Sequence, residues 1–204
     1  MITIVDYGVG NLGSIPNMLS RLGASAEITS APEQIERAEQ IILPGVGAFD
    51  AGMRSLVERG LLEVLRRRVL DDRVLTLGLC LGMELLFDSS EEGELPGLGW
   101  IRGRVVRFRF DKDDQAHRVP HMGWDTVETQ RPSPILAGLA DEPRFYFAHS
   151  YHGVCDDKSD VVGTTEYGYR FPSVVQRGNL FGAQFHPEKS HRFGLKLLEN
   201  FVSL

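Results

Sequence analysis

Cysteine is scarce in this 204-residue chain: there are two, Cys80 and Cys155, with no C-x-x-C pair and no metal-ligand spacing around either. So sparse a set excludes a disulfide framework and a thiolate metal site, and a reducing cytosol is the expected setting. Long apolar runs are missing as well. None approaches the ~20 residues that a spanning helix needs, so no membrane partner is expected. Strand-like residues from Ile2 onward leave no room for a signal peptide ahead of them, which again makes a cytoplasmic protein the expectation. Positive charge is in deficit, with a formal net charge of -6. Arg66-Arg67-Arg68 and the arginines between positions 102 and 109 are too short to make a basic stripe, so no nucleic-acid partner is expected. Repeats, low-complexity tracts and linkers are also lacking, and one domain over residues 1–204 is the expectation.

What is present is an alternation of short apolar runs and amphipathic stretches. Ile2–Val5, a strand near Ala26–Ile28, Gln40–Leu43 and Val74–Leu77 read as strands. Helices fit between them at Leu12–Leu22 and Phe49–Leu70, the second broken near Gly60, with another from about Cys80. This order predicts an α/β fold with a doubly wound, mostly parallel sheet flanked by helices. Further β signal lies at Ile101–Phe110, Arg144–Ala148, Val161–Thr165, Ser173–Gln176 and Leu180–Gln184, and a last helix at Arg192–Val202. Close spacing with glycine turns predicts antiparallel strands added to the same sheet.

Gly8, Gly10 and Gly13 spell G-x-G-x-x-G after the first strand, the fingerprint of a dinucleotide site. That site also needs an acid about 20 residues on, at the end of the second strand. Thr29 and Ser30 stand there instead, so nucleotide binding is not expected.

The segment VLTLGLCLGMELLF, Val74 to Phe87, carries chemistry. An apolar strand runs into Gly78-Leu79-Cys80-Leu81-Gly82 and then a helical pattern, the thiol form of a nucleophile elbow. Such a turn lifts Cys80 to the tip of a strand and the start of a helix, where the dipole and free N–H groups are expected to favour the thiolate. The Leu81 N–H would face an oxyanion on the attacked carbonyl. Outside that frame a cysteine reads as a small buried hydrophobe, as Cys155 does.

A thiolate nucleophile needs a proton donor for the leaving group. Among six histidines, His186 ends an apolar strand in GAQFHPEKS, and Pro187 keeps its backbone extended. Glu188, two residues on, falls on the same side and can orient the ring, as the third member of a triad does. ILPGVGAFD, Ile42 to Asp50, offers a glycine-rich loop after a strand, with N–H groups suited to a second oxyanion donor.

Together LGLCLGM, LPGVGAF and FHPEKS resemble the class I (triad) glutamine amidotransferases. Within them, DYGVGNLGS, PHMGWD, FAHSY and QFHPEKS are similar to the glutaminase subunits of imidazole glycerol phosphate synthases, from Asp6 to Ser190. The resemblance implies attack of Cys80 on the carboxamide of glutamine, with His186 protonating ammonia and Glu188 completing the triad. It implies oxyanion and substrate contacts from Val46, Gly47, Leu81 and the residue at Glu84, with Glu92 receiving the α-ammonium and Ser150 and Tyr151 lining the pocket. No metal and no cofactor are implied.

The implied partner is a (β/α)₈-barrel cyclase subunit in a heterodimer, met by Asn11, Trp124, Tyr146 and Lys189. It would take the ammonia directly, since the chain has no region left over for a complex acceptor. A PGVG loop that presents its N–H only when the partner is loaded would couple the two reactions. Two departures accompany this. Glu84 stands where the family usually has glutamine, and the ending KSHRFGLKLLENF resembles paralogues that supply ammonia for amidine formation on bacterial surface sugars. A cysteine hydrolase of the same fold family and a catalytically impaired scaffold subunit are the rival readings. The first lacks reason to combine H-P-E with PGVG and PHMGW, and the second is disfavoured by an intact Cys80, His186 and Glu188.

Overall fold

The computed structural model describes residues 1–10, 12–111 and 113–204. Its first half follows the alternation in the sequence: β1 (Ile2–Val5), α1 (Ser14–Arg21), β2 (Ala26–Thr29), α2 (Pro32–Ile35) and β3 (Gln40–Gly45). α3 (Phe49–Glu58), α4 (Leu62–Arg66) and β4 (Leu75–Cys80) come next, with the predicted helix break at Gly60. The stretch expected to stay helical to Leu70 does so, its last turn, Arg67–Asp71, being π-helical. The second half supplies α5 (Leu81–Glu84), β5 (Ser89–Ser90), β6 (Gly103–Arg107), β7 (His121–Thr126), β8 (Glu128–Thr129) and β9 (Arg144–His149). β10 (Tyr151–Cys155), β11 (Val161–Tyr167), β12 (Tyr169–Arg177), β13 (Leu180–Ala183) and α6 (His191–Val202) complete it.

The large sheet has the order β2-β1-β3-β4-β13-β12-β11-β8. It is parallel from β2 to β13 and antiparallel beyond. The expected antiparallel addition therefore holds for β11 and β12 but not for every strand of the second half. β10-β6-β5 and β7-β9 form two separate small sheets. β9 shows why. Its Phe145, Phe147 and His149 alternate inward and are buried, so the strand lies with one face on the core instead of extending the sheet edge. The strands β7 and β10 went unread in the sequence because His121–Thr126 and Tyr151–Cys155 mix polar residues and glycine. Their pairing partners β9 and β6, not their own composition, hold them extended.

Period-two burial sorts the central strands between two cores. Ile41 and Leu43 of β3 face the side covered by α3 and α4, while Ile42 faces the side covered by α1 and α6. Both faces of the parallel region are thus apolar, as buried parallel strands require. Register then sets the site: Gly45 of β3 lies opposite Cys80 of β4, and Ala183 at the end of β13 lies opposite Leu79. The carboxyl ends of three adjacent strands meet at one edge, where open α/β sheets bind ligands.

Candidate active site

Cys80 closes β4 with φ +52° and ψ -112°, a conformation that non-glycine residues adopt only where the surroundings enforce it. The enforcement is packing from both sides. A Cβ on Gly78 would sit 2.6 Å from the Gly82 carbonyl oxygen, and one on Gly82 would overlap the Leu43 carbonyl oxygen of β3. The strand and the turn after it are in backbone contact, and Cys80 is held at the corner.

The helix expected after Cys80 is only one turn, α5. Its dipole is correspondingly small, and the expected thiolate is not favoured. Burial pushes the Cys80 thiol well above its ordinary range, against a hydrogen bond from the Leu81 N–H, and Glu84 adds to this only where it is ionised. The sulfur therefore keeps its proton in the unliganded site, and attack has to be accompanied by proton transfer.

His186 follows β13 on an extended backbone, with its N–H donating to the Tyr146 carbonyl at 2.9 Å. Ser190 locks the turn: its hydroxyl donates to the His186 carbonyl at 2.6 Å and accepts from the Tyr146 N–H at 3.0 Å. The His186 Nδ1 lies 2.9 Å from Glu188 Oε1, with both side chains largely buried. A carboxylate acceptor fixes the proton on Nδ1 and leaves Nε2 to exchange one. The charges of Glu188 and Lys189 both act on Cys80, in opposite senses.

All seven residues implied for the oxyanion and substrate wall line one cavity of about 210 Å³ together with Cys80: Val46, Gly47, Leu81, Glu84, Glu92, Ser150 and Tyr151. That is smaller than the ~300–1,000 Å³ of sites for drug-sized ligands, and of a size for an amino acid. Glu92 is placed at the start of α3, where the Phe49 N–H donates to its Oε2 at 2.7 Å. The same helix turn reciprocates through Asp50, which accepts from the N–H groups of Glu94 and Leu95, each at 3.1 Å. Glu84, which reads in sequence as part of an amphipathic helix, is buried in the cavity wall.

The wall also contains Pro120, Met122, Ala148 and His149, which sequence reasoning left without a role. His149 is buried, and burial holds its ring well below the usual histidine range. Its Nε2 lies 3.1 Å from His121 Nδ1, whose Nε2 lies 2.7 Å from Asp125 Oδ2. The signal for His149 is the strand alternation Phe145, Phe147, His149, which sends all three inward.

Three of the four implied partner-facing residues are also together. Trp124 and Tyr146 are cross-strand neighbours with ring centroids 6.0 Å apart, and Lys189 Nζ lies 5.4 Å from the Tyr146 ring centroid. Trp124 stacks on the His191 ring at 5.2 Å. Asn11 lies outside the described residues. The glycine-rich segment before it abuts the PGVG loop, since a Cβ on Gly10 would come 3.2 Å from the Val46 nitrogen. β2 ends at Thr29, whose hydroxyl accepts from the Ala31 N–H at 2.9 Å, so the strand end is a turn with no ribose-binding acid.

Comparison with known proteins agrees with this arrangement. The family "Glutamine amidotransferase class-I" matches residues 3–204. The chain is 52% identical over 204 residues to "Imidazole glycerol phosphate synthase subunit HisH 2" of Pseudomonas aeruginosa, covering all of both chains. It is 48% identical over 202 residues to the protein of the same name from Methanococcus maripaludis, covering 99% of this chain and 98% of the relative. Among solved structures, one described as a crystal structure of glutamine amidotransferase superposes with a TM-score of 0.76 at 21% identity, with full coverage of both chains. PurLQS from Thermotoga maritima gives 0.70 at 18%, with 99% and 97% coverage. The chain belongs to the class-I glutamine amidotransferases and, within them, to the HisH subunit family of imidazole glycerol phosphate synthase.

Proposed function

We propose that the chain is the glutaminase subunit of an imidazole glycerol phosphate synthase, acting as a single amidotransferase domain in the cytoplasm. The observation that carries the reading is the convergence of Cys80 with Val46, Gly47, Leu81, Glu84, Glu92, Ser150 and Tyr151 around one amino-acid-sized cavity. No described helix is long and apolar enough to cross a membrane, and both cysteines are free.

In this reading the sulfur of Cys80 attacks the side-chain carbonyl carbon of glutamine as its proton passes to His186 Nε2. The oxyanion is received by the Leu81 N–H and the Val46–Gly47 segment. Collapse of the tetrahedral intermediate breaks the C–N bond, and His186 returns the proton to the leaving nitrogen, giving ammonia and a γ-glutamyl thioester. Water, deprotonated by His186, cleaves the thioester to glutamate and the free thiol. Glu188 holds the ring throughout. Replacing it by glutamine, Glu188→Gln, is expected to lower kcat by ~10²–10⁴ with little change in KM, because an amide no longer enforces the Nδ1–H tautomer. Steady-state glutamate release checks this.

Ammonia released to water is protonated and loses its nucleophilicity, so the reading includes a cyclase subunit that takes it directly. Trp124, Tyr146, Lys189 and Asn11 would meet that subunit in a heterodimer. Contact between the Gly10 segment and Val46 gives a route by which docking reshapes the oxyanion loop. The decisive assay is glutamate release by the chain alone, with the histidine-pathway cyclase of the same source, and with that cyclase and its ribonucleotide substrate. Stimulation in the last condition that Cys80→Ala abolishes is the expected result. Absence of stimulation would transfer the assignment to a related barrel with another acceptor, such as a surface sugar.

A further inference from the structure

Glu84 is an acid in a place that lacks a cation. It closes α5 with 6% of its surface exposed and stands in the cavity wall. Gln184, just beyond β13, donates from Nε2 to Glu84 Oε1 at 2.7 Å, while the Oε1 of the same amide is buried without a hydrogen-bond partner. The other titratable groups around it are Cys80 on β4, Tyr7 after β1, Glu92 after β5 and His149 at the end of β9. None brings a positive charge: His149 is held neutral by burial, and no lysine or arginine lines the cavity among the described residues. One amide N–H is too little to keep a buried carboxylate ionised beside a second carboxylate. Burial, followed by the Glu92 charge and opposed by the Gln184 bond, pushes Glu84 up to about 8.

The charge count of the cavity follows. With Glu84 neutral, Glu92 is the single negative group facing an amino-acid ligand, matched to the single α-ammonium of a zwitterion. The ligand's α-carboxylate then needs donors, and a protonated carboxyl has one O–H to give. An ionised Glu84 would instead place a second negative charge against that carboxylate. We propose that Glu84 works as a neutral acid, donating its O–H to the α-carboxylate of bound glutamine while Gln184 holds its other oxygen, so that only the protonated form of the chain takes substrate. The inference rests on the glutaminase reading and names a specificity-determining residue for it.

The sign is fixed by the direction of the shift. The carboxyl is protonated below about 8, so binding is at full strength there and is lost as pH rises through that value. If the competent fraction alone binds, the apparent Kd at pH 9 is ~10-fold weaker than at pH 7. Glu84→Gln keeps a donor of the same shape at every pH and removes this dependence.

The test is calorimetric titration of L-glutamine into the full chain from pH 6 to 9.5 in a Cys80→Ser background, with and without Glu84→Gln. Ionisation of the ligand's own amine is common to both chains and cancels in the comparison. The expected result is an alkaline loss of about tenfold that Glu84→Gln abolishes. An identical pH profile in both chains overturns the proposal. So does affinity that rises with pH only when Glu84 is present, which would mean that the ionised form pairs with the α-ammonium. No glutamine binding in either chain at any pH overturns the glutaminase reading and this inference with it. Should Glu84→Gln fail to fold, the ¹³C carboxyl resonances of glutamate-labelled chain decide the matter: one titrating near 8 is expected, and none titrating above the ordinary carboxylate range overturns the proposal.

Discussion

Cys80→Ala is expected to reduce glutamate release by ~10⁵–10⁶-fold in the partner-stimulated complex, the scale on which a covalent nucleophile is missed. The geometry leaves no substitute. Cys155 is on β10, in another sheet, and does not line the cavity. Water in place of sulfur would have to occupy the corner that Cys80 fills, without the bond geometry that its strained backbone enforces. The change should leave folding nearly untouched, because alanine keeps the Cβ and the same backbone strain and loses a single sulfur atom. Thermal unfolding and glutamine binding measured on the same preparation separate loss of chemistry from loss of structure. Residual turnover of a few per cent would show that sulfur is not the attacking atom. Because burial raises the thiol, the wild-type rate should also follow His186, so His186→Ala is expected to fall nearly as far as Cys80→Ala, with a non-additive double variant.

How much of this was legible beforehand depended on whether a residue's role is local. The elbow, the His186–Glu188 pair and the alternation of β1 to β4 are set by a few neighbouring residues, and the structure places them as their spacing predicts. Helix length after Cys80 was not legible, because the apolar run Leu85-Leu86-Phe87 reads as amphipathic helix. In the fold it leaves α5 after one turn and is buried as irregular chain, with Leu98 and Trp100 hydrogen-bonded back to the Leu85 and Leu86 carbonyls. The protonation of Cys80 went with it, since its burial is a property of the assembled cavity. His149, Tyr7 and Gln184 were equally hidden. They lie at the ends of three strands far apart in the sequence: the order of the main sheet sets the ends of β1 and β13 on one edge, and β9, paired with β7 in a separate sheet, brings His149 to the same cavity wall. The separation of β7-β9 and β10-β6-β5 from the main sheet is a matter of which face of a strand is apolar, and closely spaced β signal does not report that.

Gly82→Ala is the structural change expected to do most damage for one methyl group. Gly82 sits in the turn that follows Cys80, and the added Cβ would overlap the Leu43 carbonyl oxygen. Leu43 is in the middle of the sheet, paired with Gly78 of β4, so that oxygen belongs to backbone with no rotamer to change. The clash can be relieved only by lifting α5 off β3 or by breaking the pairing of β3 with β4, including Gly45 with Cys80. Overpacking of this kind costs about 3 kcal/mol or more where side chains cannot give. The same lift moves the Leu81 N–H and Glu84 away from the cavity, and a displacement of ~1 Å there is worth ~10²-fold in rate. Gly23→Ala is the comparison: a Cβ there meets nothing within 4 Å, but φ is +74°, so only the left-handed backbone is penalised, by ~1–2 kcal/mol, with kcat unchanged. Urea unfolding and stimulated glutamate release on both variants provide the measurement. Equal stability and equal rates would mean that the backbone contact at the elbow is neither tight nor required. The expected separation, in both quantities at once, would show that a single packing contact sets both the fold at this edge and the position of the nucleophile.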